Sequence, residues 1–166
     1  MQNLLRADNI FAAICFFACT NICEAKGMST IWYSELSLGG IHHGDSKKIV
    51  SEKLGSPDRQ DDLRQNKAPR MIYPGLTVWL GENGGSVVFL RSADAKYCTP
   101  SDICPGMSFE RAKETYTSMK ISTRDGDRLS AYFGSPLSFK LIFEVENDRV
   151  VAIGAGYLAS FDVRPK

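Results

Sequence analysis

The chain has 166 residues, the size of one ordinary domain or two very small ones. Hydrophobic residues make up 43% and charged residues 23%, which excludes a wholly disordered, collagen-like or coiled-coil chain. Lys and Arg number 20 against 19 Asp and Glu, a formal net charge of +1, so no basic excess is available to neutralise a phosphate backbone. No apolar run reaches the roughly 18–20 residues of a membrane-spanning helix, so neither nucleic acid nor a membrane span is expected.

Residues 1–25 read as an export signal. A weakly positive start at Arg6 precedes the apolar stretch Ile10 to Ala18, followed by a polar stretch ending in Cys23-Glu24-Ala25. Small residues at Cys23 and Ala25 fit a cleavage site that leaves Lys26 as the mature N-terminus. The chain is therefore expected in the periplasm or secreted. An alternative uses Cys19: Phe16-Phe17-Ala18-Cys19 resembles a bacterial lipobox, and acylation there would anchor the protein to a membrane. Cysteine parity favours the first reading. Three of the five Cys lie in the signal, and cleavage after Ala25 leaves the even pair Cys98 and Cys104, as an oxidising compartment favours. Cys98-Thr-Pro-Ser-Asp-Ile-Cys104 is expected to close a short disulfide loop whose turn suits Pro100. Two Cys without a second pair make a poor zinc site, and neither a metal nor another cofactor is expected.

The rest reads as two related modules, 26–96 and 97–166. In Ile41 to Pro57, Asp45 or Ser46 can cap a helix, Ile49, Val50 and Leu54 give it an apolar face, and Gly55 with Pro57 stops it. A mixed-charge loop is expected from Asp58 to Pro69. Met71 to Ser92 then reads as a hairpin turning at Asn83-Gly84-Gly85. The second half repeats the order: Ser108 caps a helix with Phe109, Ala112 and Tyr116 on one face, and Phe139 to Gly156 forms a hairpin turning at Asn147-Asp148. Ile41, Gly44 and Ser46 match Ile103, Gly106 and Ser108 at one constant offset. Leu76, Val78, Leu80, Val88 and Leu90 match Phe139, Leu141, Phe143, Val151 and Ile153 at nearly the same one. The expected fold is α+β: two tandem helix-plus-hairpin modules forming one antiparallel sheet, with the helices packed on one face.

The residues Ile41, Gly44, Ser46, Leu54, Gly55 and Pro57, then Ile103, Gly106, Met107 and Ser108, resemble the helix–sheet module of beta-lactamase inhibitory proteins. They are also similar to the small outer-membrane assembly lipoproteins of the same plan. The resemblance implies a tandem helix–sheet fold that works by binding another protein. Each inhibitor repeat is expected to carry its own disulfide, whereas here one pair sits between the halves.

Alternation of side chains assigns the faces. Ile72, Leu76, Val78, Leu80, Val88 and Leu90 are expected on the helix side, with Phe139, Leu141, Phe143, Val145, Val151 and Ile153. The opposite face then carries Tyr73, Thr77, Trp79, Val87, Phe89 and Arg91, with Lys140, Ile142, Glu144, Val150 and Ala152 from the second half. Aromatic residues beside Arg have the composition of interface hot spots, so Tyr73, Trp79, Phe89 and Arg91 are the candidate partner-binding residues. The competing reading is that Ile31-Trp32-Tyr33 or Arg128 to Phe133 covers that face.

No catalytic set is expected. His42 and His43, with Asp45 and Glu35, could form a metal or acid–base site, but adjacent side chains point apart and these sit in a turn. Gly154-Ala155-Gly156 lacks the third glycine and following helix of a dinucleotide site and reads as small residues at a sheet edge. The expected function is an exported, non-enzymatic protein-binding module, an inhibitor or immunity-type protein that neutralises an envelope enzyme or a toxin. The alternatives are an envelope assembly or structural lipoprotein and a small metal-dependent enzyme using His42 and His43.

Overall fold

Short turns cut the chain into strands more often than the hydrophobic runs alone suggest. The structure is a computed structural model that describes residues 27–61, 68–81, 84–135 and 138–157. The signal segment 1–25, with Cys15, Cys19 and Cys23, and the turn residue Asn83 lie outside the described residues. Among those described, a short 3-10 helix at Tyr33–Glu35 leads into β1 (Ser37–Leu38), β2 (Ile41–His42) and α1 (Lys47–Leu54). Four strands follow: β3 (Arg59–Asp61), β4 (Arg70–Tyr73), β5 (Leu76–Leu80) and β6 (Val87–Ser92). The second half then gives α2 (Phe109–Thr115), β7 (Lys120–Asp125), β8 (Arg128–Gly134), β9 (Phe139–Glu146) and β10 (Arg149–Tyr157).

The strands form an eight-stranded antiparallel sheet in the order β3-β4-β5-β6-β10-β9-β8-β7, and β1 with β2 form a separate two-stranded sheet. This overturns the helix-packed α+β expectation. The molecule is mostly β, and each half supplies a four-stranded meander where a single hairpin was expected. The helices are short, and their buried hydrophobic residues are Val50 on α1 and Phe109 and Ala112 on α2. The layer over the sheet owes as much to Leu36, Leu38 and Ile41 around the two-stranded sheet, each 1% exposed or less.

Two unexpected turns, after Tyr73 and after Asp125, add strands to the expected hairpins, and the third turn is the expected one. Pro74-Gly75 separates β4 from β5, Gly126-Asp127 separates β7 from β8, and Asn147-Asp148 separates β9 from β10. Asn147 and Asp148 sit at φ 50° and 57°, the left-handed conformations that a two-residue hairpin turn of matching twist requires. Arg59–Asp61, expected within a loop, pairs with β4 as the outermost strand.

The meanders meet where β6 pairs with β10, and the segments leading into the helices are held alike. Gly44 donates to the Val87 carbonyl and Val87 to that of Asp45 (2.8 Å each). In the second half Gly106 donates to Val150 (2.7 Å) and Val150 to Met107 (2.9 Å). Gly44 and Gly106 take φ 88° and 96°, a left-handed turn that favours glycine just before each helix. Ser46 and Ser108 then cap the helices, accepting from the amides of Ile49 and Arg111.

The core lies between this layer and one face of the sheet. Tyr116, Phe133 and Phe143 are its largest fully buried side chains, and the Tyr116 ring centroid lies 4.8 Å from that of Phe133 and 5.5 Å from that of Phe143. Each such side chain contributes on the order of 1.5–3 kcal/mol by leaving water.

Candidate protein-binding face

The sheet face turned away from this core is organised by its central strand. β10 presents Ala152, Gly154 and Gly156 there, paired with Glu144, Ile142 and Lys140 of β9 and, for the two glycines, with Arg91 and Phe89 of β6. Small residues leave a trough, and longer side chains of β6 fold across it. A Cβ on Gly154 would lie 2.5 Å from Cζ of Phe89, so the Phe89 ring rests directly on that glycine and is 2% exposed. Gly154-Ala155-Gly156 thus lies in the middle of the sheet, where an edge was expected, and its job is close packing.

Trp79 stands opposite Phe89 across β5 and β6, with ring centroids 5.5 Å apart in an edge-to-face arrangement, and is only partly buried. Arg70 is its neighbour on β4, held by Asp61 at 2.6 Å. The side-chain hydrogen bond from Arg70 keeps the Asp61 carboxyl below the usual carboxylate range. One row further, Arg91 reaches across β10 to Glu144 with two parallel bonds, Nε to Oε1 at 2.8 Å and Nη2 to Oε2 at 2.7 Å. Glu144 raises the Arg91 pKa and fixes the guanidinium plane beside the aromatic pair. Trp79, Phe89 and Arg91 therefore lie together on one face, with Arg70 as a residue the sequence reading missed; its direct pairing with Trp79 follows from the turn after Tyr73.

Tyr73 does not join them. Pro74-Gly75 is a two-residue turn that sets Tyr73 opposite Leu76, so Tyr73 shares the core side, is 4% exposed and donates to the Gly55 carbonyl at 3.3 Å. Bulges correct other face assignments. The irregularity between Trp79 and Leu80 puts Val87 opposite Leu80 and buries it, leaving Val88 half-buried. Another between Val150 and Ala152 buries Val150 in the core and leaves Val151 40% exposed.

The segments expected as covers go elsewhere. Arg128–Gly134 is strand β8 of the same sheet. Ile31 packs against the core cluster, and Tyr33 stacks edge-on against His43 and Phe139.

The residues of the alternative acid–base reading, His42, His43, Asp45 and Glu35, are engaged separately. The Tyr33 hydroxyl lies 2.9 Å from His43 Nδ1, and half-burial lowers the His43 pKa. Asp45 accepts from the His42 amide at 3.0 Å and from Lys53 at 3.3 Å. Glu35 is buried elsewhere, accepting from Tyr116 at 2.7 Å and Ser101 at 2.9 Å. Among the described residues no group of three or more His, Cys, Asp or Glu could hold a metal ion.

Cys98 and Cys104 are disulfide-bonded. Their loop carries Thr99 and Ser101 to the buried Glu35–Tyr116 pair, with the Thr99 hydroxyl 2.8 Å from that of Tyr116. Burial pushes the Tyr116 phenol well above its usual range. The bond thus shapes a junction between the N-terminal segment and α2. No described helix is long and apolar enough to cross a membrane.

No protein-family model matches the chain, and no curated protein does. Among solved structures, an extracellular protein containing a SCP domain from Bacillus anthracis str. Ames is similar over 69% of this chain and 44% of its own, at 12% identity and a TM-score of 0.46. The chain spans under half the length of that protein.

Proposed function

We propose that the protein is an exported binding module that neutralises another protein, an envelope enzyme or a toxin, through the sheet face carrying Trp79, Phe89 and Arg91. The observation that carries this reading is the partly exposed Trp79, set against Phe89 and flanked by Arg70 and Arg91, on the face opposite the hydrophobic core. A large aromatic anchor beside ordered guanidinium groups supplies both apolar area and directional hydrogen bonds, the combination found at interface hot spots. Phe89 on Gly154 and Arg91 on Glu144 are already fixed, so little side-chain freedom is lost on binding.

Export is part of the proposal and rests on residues 1–25 and on the disulfide, which an oxidising compartment favours. The pairing of Cys98 with Cys104 favours the soluble form over the lipid-anchored alternative, because acylation at Cys19 would retain Cys23 as an odd thiol. The mass of the mature N-terminus separates the two. The binding reading is tested by isolating a partner from envelope extract and measuring hydrogen exchange of the complex. Protection concentrated on β5, β6 and β10 is expected. Protection confined to the layer containing the helices would reject the face.

A further inference from the structure

We propose that β7 is a self-association edge, at which a second copy of this chain pairs antiparallel and joins two eight-stranded sheets into one. β7 is unlike every other long strand of the sheet. It lies at one end of the strand order, and all six of its residues, Lys120 to Asp125, are exposed, Ile121 to 53%. β8, β9 and β10 each bury side chains in the core, and the opposite end of the sheet is the three-residue β3. A six-residue strand that buries no side chain gains little from folding beyond its backbone bonds to β8, and its outer edge still offers unpaired amide and carbonyl groups.

The sequence of β7 reads in reverse as its own partner. Run antiparallel against itself, Lys120-Ile121-Ser122-Thr123-Arg124-Asp125 sets Lys120 opposite Asp125 of the second copy at both ends, and Ile121 opposite the Arg124 stem. In a regular strand this register is forbidden, because residues five apart point to opposite faces, whereas directly paired residues must share one. The bulge between Ile121 and Thr123 removes the obstacle. It sets Lys120 opposite Tyr132 and Asp125 opposite Arg128, which places both on the face away from the core, and it places Ile121 and Arg124 opposite Ala131 and Leu129 on the other. Ser122 Oγ fixes the bulge by donating to the Ser130 carbonyl at 3.0 Å.

Charged side chains, a bulge and a charge on the core side, here Arg124, keep an edge strand from pairing indiscriminately, so a partner edge must match the charge pattern of β7. Here opposite charges sit at the two ends of the strand on one face, and among the described residues neither Lys120, Arg124 nor Asp125 makes an ion pair, in contrast to Arg128 with Glu146 on the neighbouring strands. Pairing about a two-fold axis normal to the sheet keeps the two Trp79 faces on the same side of the joined sheet. The inference needs only β7 and stands independently of the proposed partner face.

The test is sedimentation velocity on the mature protein from micromolar to millimolar concentration. A reversible dimer is expected. Lys120→Asp and Asp125→Lys alone should each weaken association about tenfold or more, since each sets like charges directly opposite at two places. The double variant should recover the wild-type dimer. Measured where all are monomeric, the melting temperatures of the three variants should stay close to that of the wild type, because both side chains are exposed. A wild type that is monomeric throughout, a dimer indifferent to both single changes, or a double variant that stays monomeric would each overturn the proposal.

Discussion

Tyr73 and Trp79 lie six residues apart in one hydrophobic run, yet they end on opposite sides of the sheet. Tyr73 is buried over the core with its hydroxyl spent on Gly55, while Trp79 stands partly exposed against Phe89. The difference comes from a two-residue turn at Pro74-Gly75, which folds the run back on itself and resets which residues share a face. The two sides of one sheet therefore carry aromatic residues for different reasons. Those on the core side fill volume; on the outer side Phe89 lies over Gly154 of β10, and Trp79 leans on Phe89 with part of its surface open.

The largest effect that would break this comparison is on the core side. Tyr73→Ala is expected to lower the unfolding free energy by about 3–5 kcal/mol, by analogy with other buried large-to-small changes. A loss under about 1 kcal/mol in denaturant titration would return Tyr73 to the surface. Next comes the trough: Gly154→Val places a side chain where the Phe89 ring lies, and should cost about 1–3 kcal/mol by overpacking. Near-UV circular dichroism should report the displaced Trp79–Phe89 pair; an unchanged spectrum would contradict the packing. Glu144→Gln should cost under about 1 kcal/mol, because the ion pair with Arg91 is partly exposed. Its larger consequence is a freer Arg91, visible as weaker partner binding with the melting temperature nearly unchanged.

The smallest effect concerns pH. Half-burial lowers the His43 pKa in the folded state, so the unfolded chain binds the proton more readily. The stability this contributes is fully present above the ordinary histidine pKa of about 6.5 and is lost as pH falls from there through the folded value. His43→Phe should flatten that part of the stability–pH curve, and a slope unaltered by the substitution would show that another group carries it.

Much of the local order was legible. The serine caps, the glycine before each helix and the Asn147-Asp148 turn follow from residue chemistry alone. The four-stranded meanders were not read, although two dipeptides marked them: Pro74-Gly75 and Asp125-Gly126 are both turn signals inside stretches rich in strand formers. Treating Met71 to Leu80 as one strand left Trp79 on the correct face, because the run from Leu76 keeps its alternation, but carried Tyr73 with it. The bulges at Val88 and Val151 have no comparable mark in the sequence, since an inserted residue looks like any other valine until its partner strand is known. The candidate face could be named from composition at Trp79, Phe89 and Arg91, which the strand pairing sets on one side of the sheet. Its assembly depends on Gly154 and Glu144, which belong to strands distant in sequence.

The central claim is that Trp79 is held outside the core for a partner, and one substitution tests it with two readouts. Trp79→Ala and the wild type should be compared for unfolding free energy and for affinity to the protein recovered from envelope extract. The account predicts a stability loss smaller than that of Tyr73→Ala, made up of about 0.5–1.5 kcal/mol for the edge-to-face pair plus the apolar area that Trp79 buries, with binding weakened by about 2 kcal/mol or more. A collapse of stability would make Trp79 a core residue, and unchanged binding would place the recognition surface elsewhere.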